Sequence, residues 1–278
     1  MNRTTLALAA AAAAATILLC PQPSVSQEGK AERFNVPLSD PGRPVRLNVS
    51  LVTGGITVEA HSGNSVIVEA MTPEPRPDRG PASKDGLRRI PVTGGAGMEI
   101  EEENNTVTVG SASPNVPLNL RIQVPAQTSL RLSTVNAGHI KVTGVRGDHE
   151  LSNTNGSIEA RQVAGSVVAH TVNGRILVTF TAVTPDKAMA FSTLNGDVDV
   201  TFPGNTRANL RMESQNGDIY TDFDVAMRER AVENKEGRSG GRYRVTVERA
   251  VSGSINGGGP EIRFKTFNGD VHLRRAGS

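Results

Sequence analysis

Apolar and polar residues alternate along most of this chain. Residues 46–70 read RLNVSLVTGGITVEAHSGNSVIVEA, with Leu, Val and Ile at nearly every second position. That period is the mark of a half-buried strand. Residues 98–109 and 116–124 (VPLNLRIQV) resume it. A short unit then recurs: SNTNGSIEA, HTVNGRILV, STLNGDVDV, ESQNGDIYT and KTFNGDVHL, with a looser copy, STVNAGHIKV, at 133–142. Each copy joins Asn and Gly to a brief apolar alternation.

Gly138, Gly147, Gly156, Gly165 and Gly174 recur every nine residues. Asn precedes Gly only at alternate units, at Asn155 and Asn173, so the true repeat is eighteen residues in two unequal halves. After Val178 the spacing widens: Gly174 to Gly196 is 22 residues, Gly196 to Gly217 is 21, and Gly217 to Gly269 is 52.

Two architectures answer to this pattern. Asn-Gly between alternating strands is a β-hairpin signal and leads to an antiparallel meander. A short period is also the mark of a β-solenoid, in which each repeat makes one turn about a common axis. The alternation of unlike halves favours the solenoid, because like stacks on like when coils are piled. The expected fold is all-β: a single-stranded parallel β-solenoid with about 18–22 residues per coil and two surface loop inserts. Stacking would align Asn136, Asn155, Asn173, Asn195 and Asn216 into an amide ladder at about 4.8 Å per coil. Gly174 is expected to sit at a turn, and Gly174→Val to destabilise if its φ is positive.

Composition agrees with a thin interior. Trp is absent, Tyr counts 2 and Phe 7 among 278 residues, so the core is expected to be Val, Ile, Leu and Ala. Two segments break the pattern. Residues 72–97 hold repeated Pro and Gly, which exclude regular sheet. Residues 228–242 are charged and Gly-rich. Both read as exposed loops.

The first residues read as a targeting segment: Arg3, an apolar run from Leu6 to Leu19, then PQPSVSQE. Residues 1–26 are therefore expected to be a signal peptide, 27–45 a polar lead-in and 46–278 the solenoid. Fourteen apolar residues are short for a membrane span. Cys20, the single cysteine, is either a lipoprotein acceptor or an incidental residue of the discarded peptide. Cleavage after Ser26 leaves no thiol chemistry. The formal charge is +2, or +1 without Arg3, which gives no electrostatic footprint for nucleic acid.

Candidate chemistry is sparse. His61, His139, His149, His170 and His272 are scattered, and no spacing supports zinc. His139, His170 and His272 fall at polar positions. His149 takes a normally inward position, as a ligand or base or, in the plainer reading, a hydrogen-bonded interior or edge histidine. Asp197, Asp218 and Asp270 each follow Asn-Gly. Stacking of the first two would put carboxylates one strand spacing apart, which suits either calcium or solvated turns. The calcium-roll pattern G-G-x-G-x-D is missing. Arg146-Gly147-Asp148 spells an attachment tripeptide, but Gly147 is simply the repeat glycine. No convergent carboxylate pair, catalytic triad or phosphate loop is legible. The expected catalytic, cofactor-binding and metal residues are none.

The run VPLNLRIQVPAQTSLRLSTVNAGHIKV, the NGD-(I/V) copies at 195–198, 216–219 and 268–271, and the closing INGGGPEIRFKTFNGDVHLRR resemble the bacterial β-strand-repeat family that carries the adhesin label, a domain of unknown function. The resemblance covers about residues 46–275. It implies a parallel β-solenoid on an exported or membrane-linked protein, with some members tied to envelope-stress signalling, and it carries over no catalytic residue. The expected function is an exported, non-enzymatic surface for binding. Its partner would be an envelope protein, a cell-wall polymer or an external surface, with no nucleic acid and no small-molecule cofactor. The alternatives are a periplasmic envelope-stress sensor or structural element, and a carbohydrate-active enzyme.

Overall fold

The computed structural model describes residues 31–71, 97–111, 116–227 and 250–277, together with the backbone of four short strands in the inserts. The expected signal peptide and Cys20 lie outside the described residues. Among the described residues every regular element is a strand, and most strands pair in parallel.

Each coil contributes two strands, which in coils IV to VIII meet at an Asn-Gly corner. In spatial order, coil I is Thr106–Ser111 with Asn119–Pro125, and coil II is Val45–Thr53 with Ile56–His61. Coil III is Thr128–Asn136 with Ile140–Thr143. The long strand Ile158–Asn173 is shared: residues 158–161 complete coil IV after Arg146–Asn155, and residues 163–173 open coil V before Ile176–Val183. Coil VI is Met189–Ser192 with Val198–Phe202, coil VII is Glu261–Asn268 with Val271–Arg275, and coil VIII is Ala208–Asn216 with Ile219–Thr221. Parallel register carries through the stack: Asn136 faces Thr53, Asn155 faces Asn173, and Asn216 faces Asn268. Asn-Gly therefore turns a corner between two sheets and closes no hairpin.

Stacking order departs from chain order at both ends. The first strand pair lies between coils I and III, so the second stretch of chain sits outside the first. The last strand pair, 261–275, slides between coils VI and VIII. Asp197 and Asp218 are consequently two coils apart, with Asp270 between them, and not adjacent as chain order suggested.

The ends are blunted. Met98–Glu103 runs antiparallel on coil I, with Glu99, Glu101 and Glu103 on its exposed side. Ser65–Met71 also pairs antiparallel with coil I, and Ala31–Pro37 in turn covers that strand. Part of the expected lead-in is thus a capping strand. At the far end Ala250–Ile255 lies antiparallel on coil VIII and carries Ala226–Met227. Charged, short or reversed edge strands discourage further strand addition. Both inserts hold antiparallel pairs where loops were expected: Ser83–Lys84 with Leu87–Arg88, and Lys235–Ser239 with Arg242–Thr246. The remainder of the inserts lies outside the described residues.

Alternate residues of each strand fill the interior, as the period of two requires. Leu47, Ile56, Leu132, Ile140, Leu151, Ile158 and Ile176 are among the fully buried residues. The interior is not purely aliphatic. Phe180 stacks on Phe202 at 4.8 Å and Phe191 on Phe264 at 5.3 Å, which joins coils V, VI and VII. Four aromatic side chains in one place supply a large share of the buried apolar area in that half.

Candidate interaction ridge

The Asn-Gly corner builds a continuous ridge from several side-chain columns. The outermost is the amide ladder. Asn155 Nδ2 donates to Asn136 Oδ1 (3.1 Å), Asn173 to Asn155 (2.9 Å), Asn195 to Asn173 (2.7 Å), Asn268 to Asn195 (2.7 Å) and Asn216 to Asn268 (2.9 Å). The expected members are all present, and Asn268 is inserted before Asn216. The ladder stops at coil II because Thr53 holds the equivalent place.

Behind it lies a buried polar column that sequence reasoning missed. Thr134, Asn153, Thr171, Thr193, Thr266 and Ser214 donate to the carbonyls of Gly54, Gly138, Gly156, Gly174, Gly196 and Gly269, at 2.8–3.0 Å. At the corner the glycine carbonyl turns toward the interior, where an unpaired acceptor is costly. A small polar side chain two residues before each Asn satisfies it from the next coil. The signal was present in every copy: Ser, Thr or Asn stands at that inward position and interrupts the apolar alternation.

The glycines answer to close approach. Gly174 does not have a positive φ, contrary to the condition placed on it. A Cβ there would lie 2.3 Å from the carbonyl oxygen of Gly156, and one on Gly156 would lie 1.9 Å from that of Gly138. Backbones of neighbouring coils touch here, and only glycine leaves room.

The residue after each glycine forms a further column. His139 Nδ1 accepts from the Ser157 N–H (3.1 Å) and Ser157 Oγ from the Arg175 N–H (3.3 Å). Asp197 Oδ1 accepts from the Asp270 N–H (2.9 Å), and Asp270 Oδ1 from the Asp218 N–H (2.8 Å). Asp197 and Asp270 thus cap backbone donors, and Asp218 Oδ2 accepts from the Tyr220 hydroxyl (3.4 Å). Among the described residues no His, Cys, Asp or Glu group is placed to hold a metal ion. The column changes sign along the ridge, from Arg175 to the aspartates. Tyr220 stacks on His272 at 5.1 Å beside the acidic end, and the charges of Asp218 and Asp270 push its phenol pKa up.

Immediately before the ladder runs an apolar stripe. Val135, Leu194 and Phe267 each precede a ladder position, Val52 precedes its equivalent Thr53, and the four are 39–46% exposed, with Thr154 and Val172 between them. Single exposed apolar residues are ordinary, whereas an aligned row of them marks a contact surface.

Charged groups elsewhere are engaged. Asp199 is buried between Arg175 (2.9 Å) and Arg274 (2.9 Å). Asp148 accepts from Ser166 Oγ (2.7 Å) and pairs with Lys187 (2.6 Å), and these partners hold its carboxyl below the usual range. The attachment tripeptide therefore has its aspartate tied to its own fold. Glu213 bridges Arg211 and Lys265. His139 and His170 are exposed, as expected. His149 is interior, in register with Leu130 and Val167, but neither ring nitrogen reaches a hydrogen-bond partner. Burial lowers its pKa to about 4, against weaker opposing influences from the Val145 and Ala164 backbone and from Asp148. A cavity of about 590 Å³ opens away from the ridge, walled by Val183, Met189, Pro203, Pro260 and Ile262 with Asp186 and Arg207 among its polar lining.

Parallel coils, a capped stack and a lateral ridge define the protein as a β-solenoid. Its sequence matches the Toastrack model, a domain of unknown function (DUF4097), over residues 45–274, and the chain belongs to that family. A crystal structure from Clostridium sporogenes, of a protein described as a "putative cell adhesion protein", is similar at 10% identity and a TM-score of 0.45, over 88% of this chain and 100% of that one. No curated protein matches the sequence.

Proposed function

We propose that this protein is an exported, non-enzymatic binding module that engages another macromolecule of the cell envelope or an external surface along its lateral ridge. The carrying observation is the exposed row of Val52, Val135, Leu194 and Phe267 beside the amide ladder. A ladder held by hydrogen bonds from coil III to coil VIII makes most of that row rigid, so little ordering entropy is lost on contact. Family membership and the signal-like first residues are consistent with a role at the envelope. The engagement of Asp148, Asp199 and Glu213 in ion pairs supports a non-enzymatic reading, because their carboxylates serve the fold. The blunted ends favour lateral contact over a structural element that polymerises through its ends.

The test is binding of the purified chain to isolated envelopes of the producing cell. Leu194→Glu with Phe267→Glu places charges on the row without touching the interior. Retained folding with lost binding is expected. Unchanged binding by the double variant refutes the ridge, and protection of the native protein from protease on intact cells refutes an external surface.

A further inference from the structure

The chain carries six Asn-Gly steps. Asn256-Gly257 lies off the ladder, with Asn256 Nδ2 donating to the Gly204 and Thr206 carbonyls (3.1 and 2.6 Å). The other five, at Asn155, Asn173, Asn195, Asn216 and Asn268, are ladder rungs, and the fold treats one rung differently. Gly174, Gly196 and Gly269 donate their N–H to the carbonyls of Asn195, Asn268 and Asn216 in the next coil, at 2.9, 2.8 and 3.1 Å. Asn155, Asn173, Asn195 and Asn268 have their side-chain amides held on both sides, donating to one neighbour and accepting from the other. Asn155 also keeps parallel register with Asn173. Asn216 is the last rung. Its Nδ2 donates to Asn268, but its Oδ1 accepts from nothing among the described residues, and the N–H of Gly217 likewise has no partner there. Coil VIII ends the parallel stack, and Gln215, Asn216, Gly217 and Asp218 are all exposed.

We infer that Asn216-Gly217 is a self-modifying site that deamidates in the folded protein while the ladder steps at Asn173, Asn195 and Asn268 are protected. The deprotonated Gly217 nitrogen attacks Asn216 Cγ. A C–N bond forms, the Cγ–Nδ2 bond breaks and ammonia leaves, giving a five-membered succinimide. Water then opens either imide carbonyl to give Asp or isoaspartate. No oxidant or cofactor enters. At this position the amide must release one hydrogen bond to reach its neighbour's nitrogen, and that nitrogen is already free. At Asn173, Asn195 and Asn268 a second side-chain bond and a backbone bond must open as well. The product adds a negative charge beside Asp218 and Asp270 and removes the donor to Asn268, so the modification loosens the ladder from its free end.

The experiment is incubation of the full native chain at mildly alkaline pH, followed by peptide mapping for the mass gain of NH replaced by O and enzymatic detection of isoaspartate. The same chain in urea is the reference, where all six Asn-Gly steps are expected to react at similar rates. In the native chain Asn216 should react about thirtyfold faster than the interior steps, the ratio expected for two further hydrogen bonds that must open. Equal rates at Asn216 and an interior step in the native chain overturn the inference. So does an Asn216 that is inert when native yet reactive in urea. Asn216→Gln should remove the fast native product without creating another.

Discussion

Gly174→Ala is the most direct test of how the corner is built. The added Cβ would sit 2.3 Å from the Gly156 carbonyl oxygen and 2.5 Å from its carbon, both backbone atoms. An ordinary contact begins near 3.4 Å, so the coils must separate locally by 3.4 − 2.3 = 1.1 Å. That shift lengthens the Thr171 hydroxyl bond to Gly156 and the Asn173–Asn155 amide bond, both 2.9 Å. Overpacking costs about 1–3 kcal/mol, and the two weakened bonds add about 1 kcal/mol each if lost. Against this, replacing glycine restricts the unfolded chain by about 0.4–1 kcal/mol. The net is a loss of about 3 kcal/mol, or a fall in Tm of about 6–12 °C for a domain of this size. Gly110→Ala is the control, because a Cβ there meets nothing within 4 Å. Differential scanning calorimetry of the two variants decides. A Gly174→Ala midpoint equal to that of Gly110→Ala would refute backbone contact as the reason for the glycine.

His149 gives a pH signature. It stays neutral when folded down to about 4, while the unfolded chain takes up a proton near 6.5, so its contribution is intact above 6.5, declines as pH falls and levels off below 4. The loss is about 3 kcal/mol, and urea midpoints at pH 7.5 and pH 4.5 should differ by less in His149→Leu than in the parent. Thr171→Val leaves the Gly156 carbonyl unsatisfied and should cost about 1–3 kcal/mol by chemical denaturation, with Thr171→Ser costing less. Asp199→Asn frees two half-exposed arginines, so solvent limits the loss to about 1 kcal/mol, and added salt should shrink it.

The strand alternation and the Asn-Gly period were enough to read the solenoid and most of the amide ladder, because both are local patterns repeated in register. The order of coils was not legible. Nothing in the local text of residues 261–275 distinguishes a terminal coil from an interior one; the choice is made by long-range pairing with residues 189–202 and 208–221. The phenylalanine cluster is only partly local: Phe180, Phe191 and Phe202 meet within coils V and VI, while Phe264 joins them only once coil VII is in place. The inward Thr, Ser and Asn column is written in every copy, but alternation alone does not separate a polar residue that serves a backbone carbonyl from a break in the apolar pattern. His149 was placed correctly inside the fold, yet its lack of a hydrogen-bond partner depends on aliphatic neighbours from two other coils.

The position of the last strand pair bears on how the chain is made. During synthesis coils VI and VIII leave the ribosome before coil VII exists. Their facing edges must therefore remain unpaired, or pair provisionally with each other, until residues 261–275 arrive to fill the slot. Growth coil by coil from one end, the simple route open to ordinary repeat arrays, stops at coil VI, and completion waits for residues 261–275. Loss of those residues through a premature stop would excise a slab from within the stack and leave two raw sheet edges, so a short nascent fragment is marked for quality control by its own exposed strands.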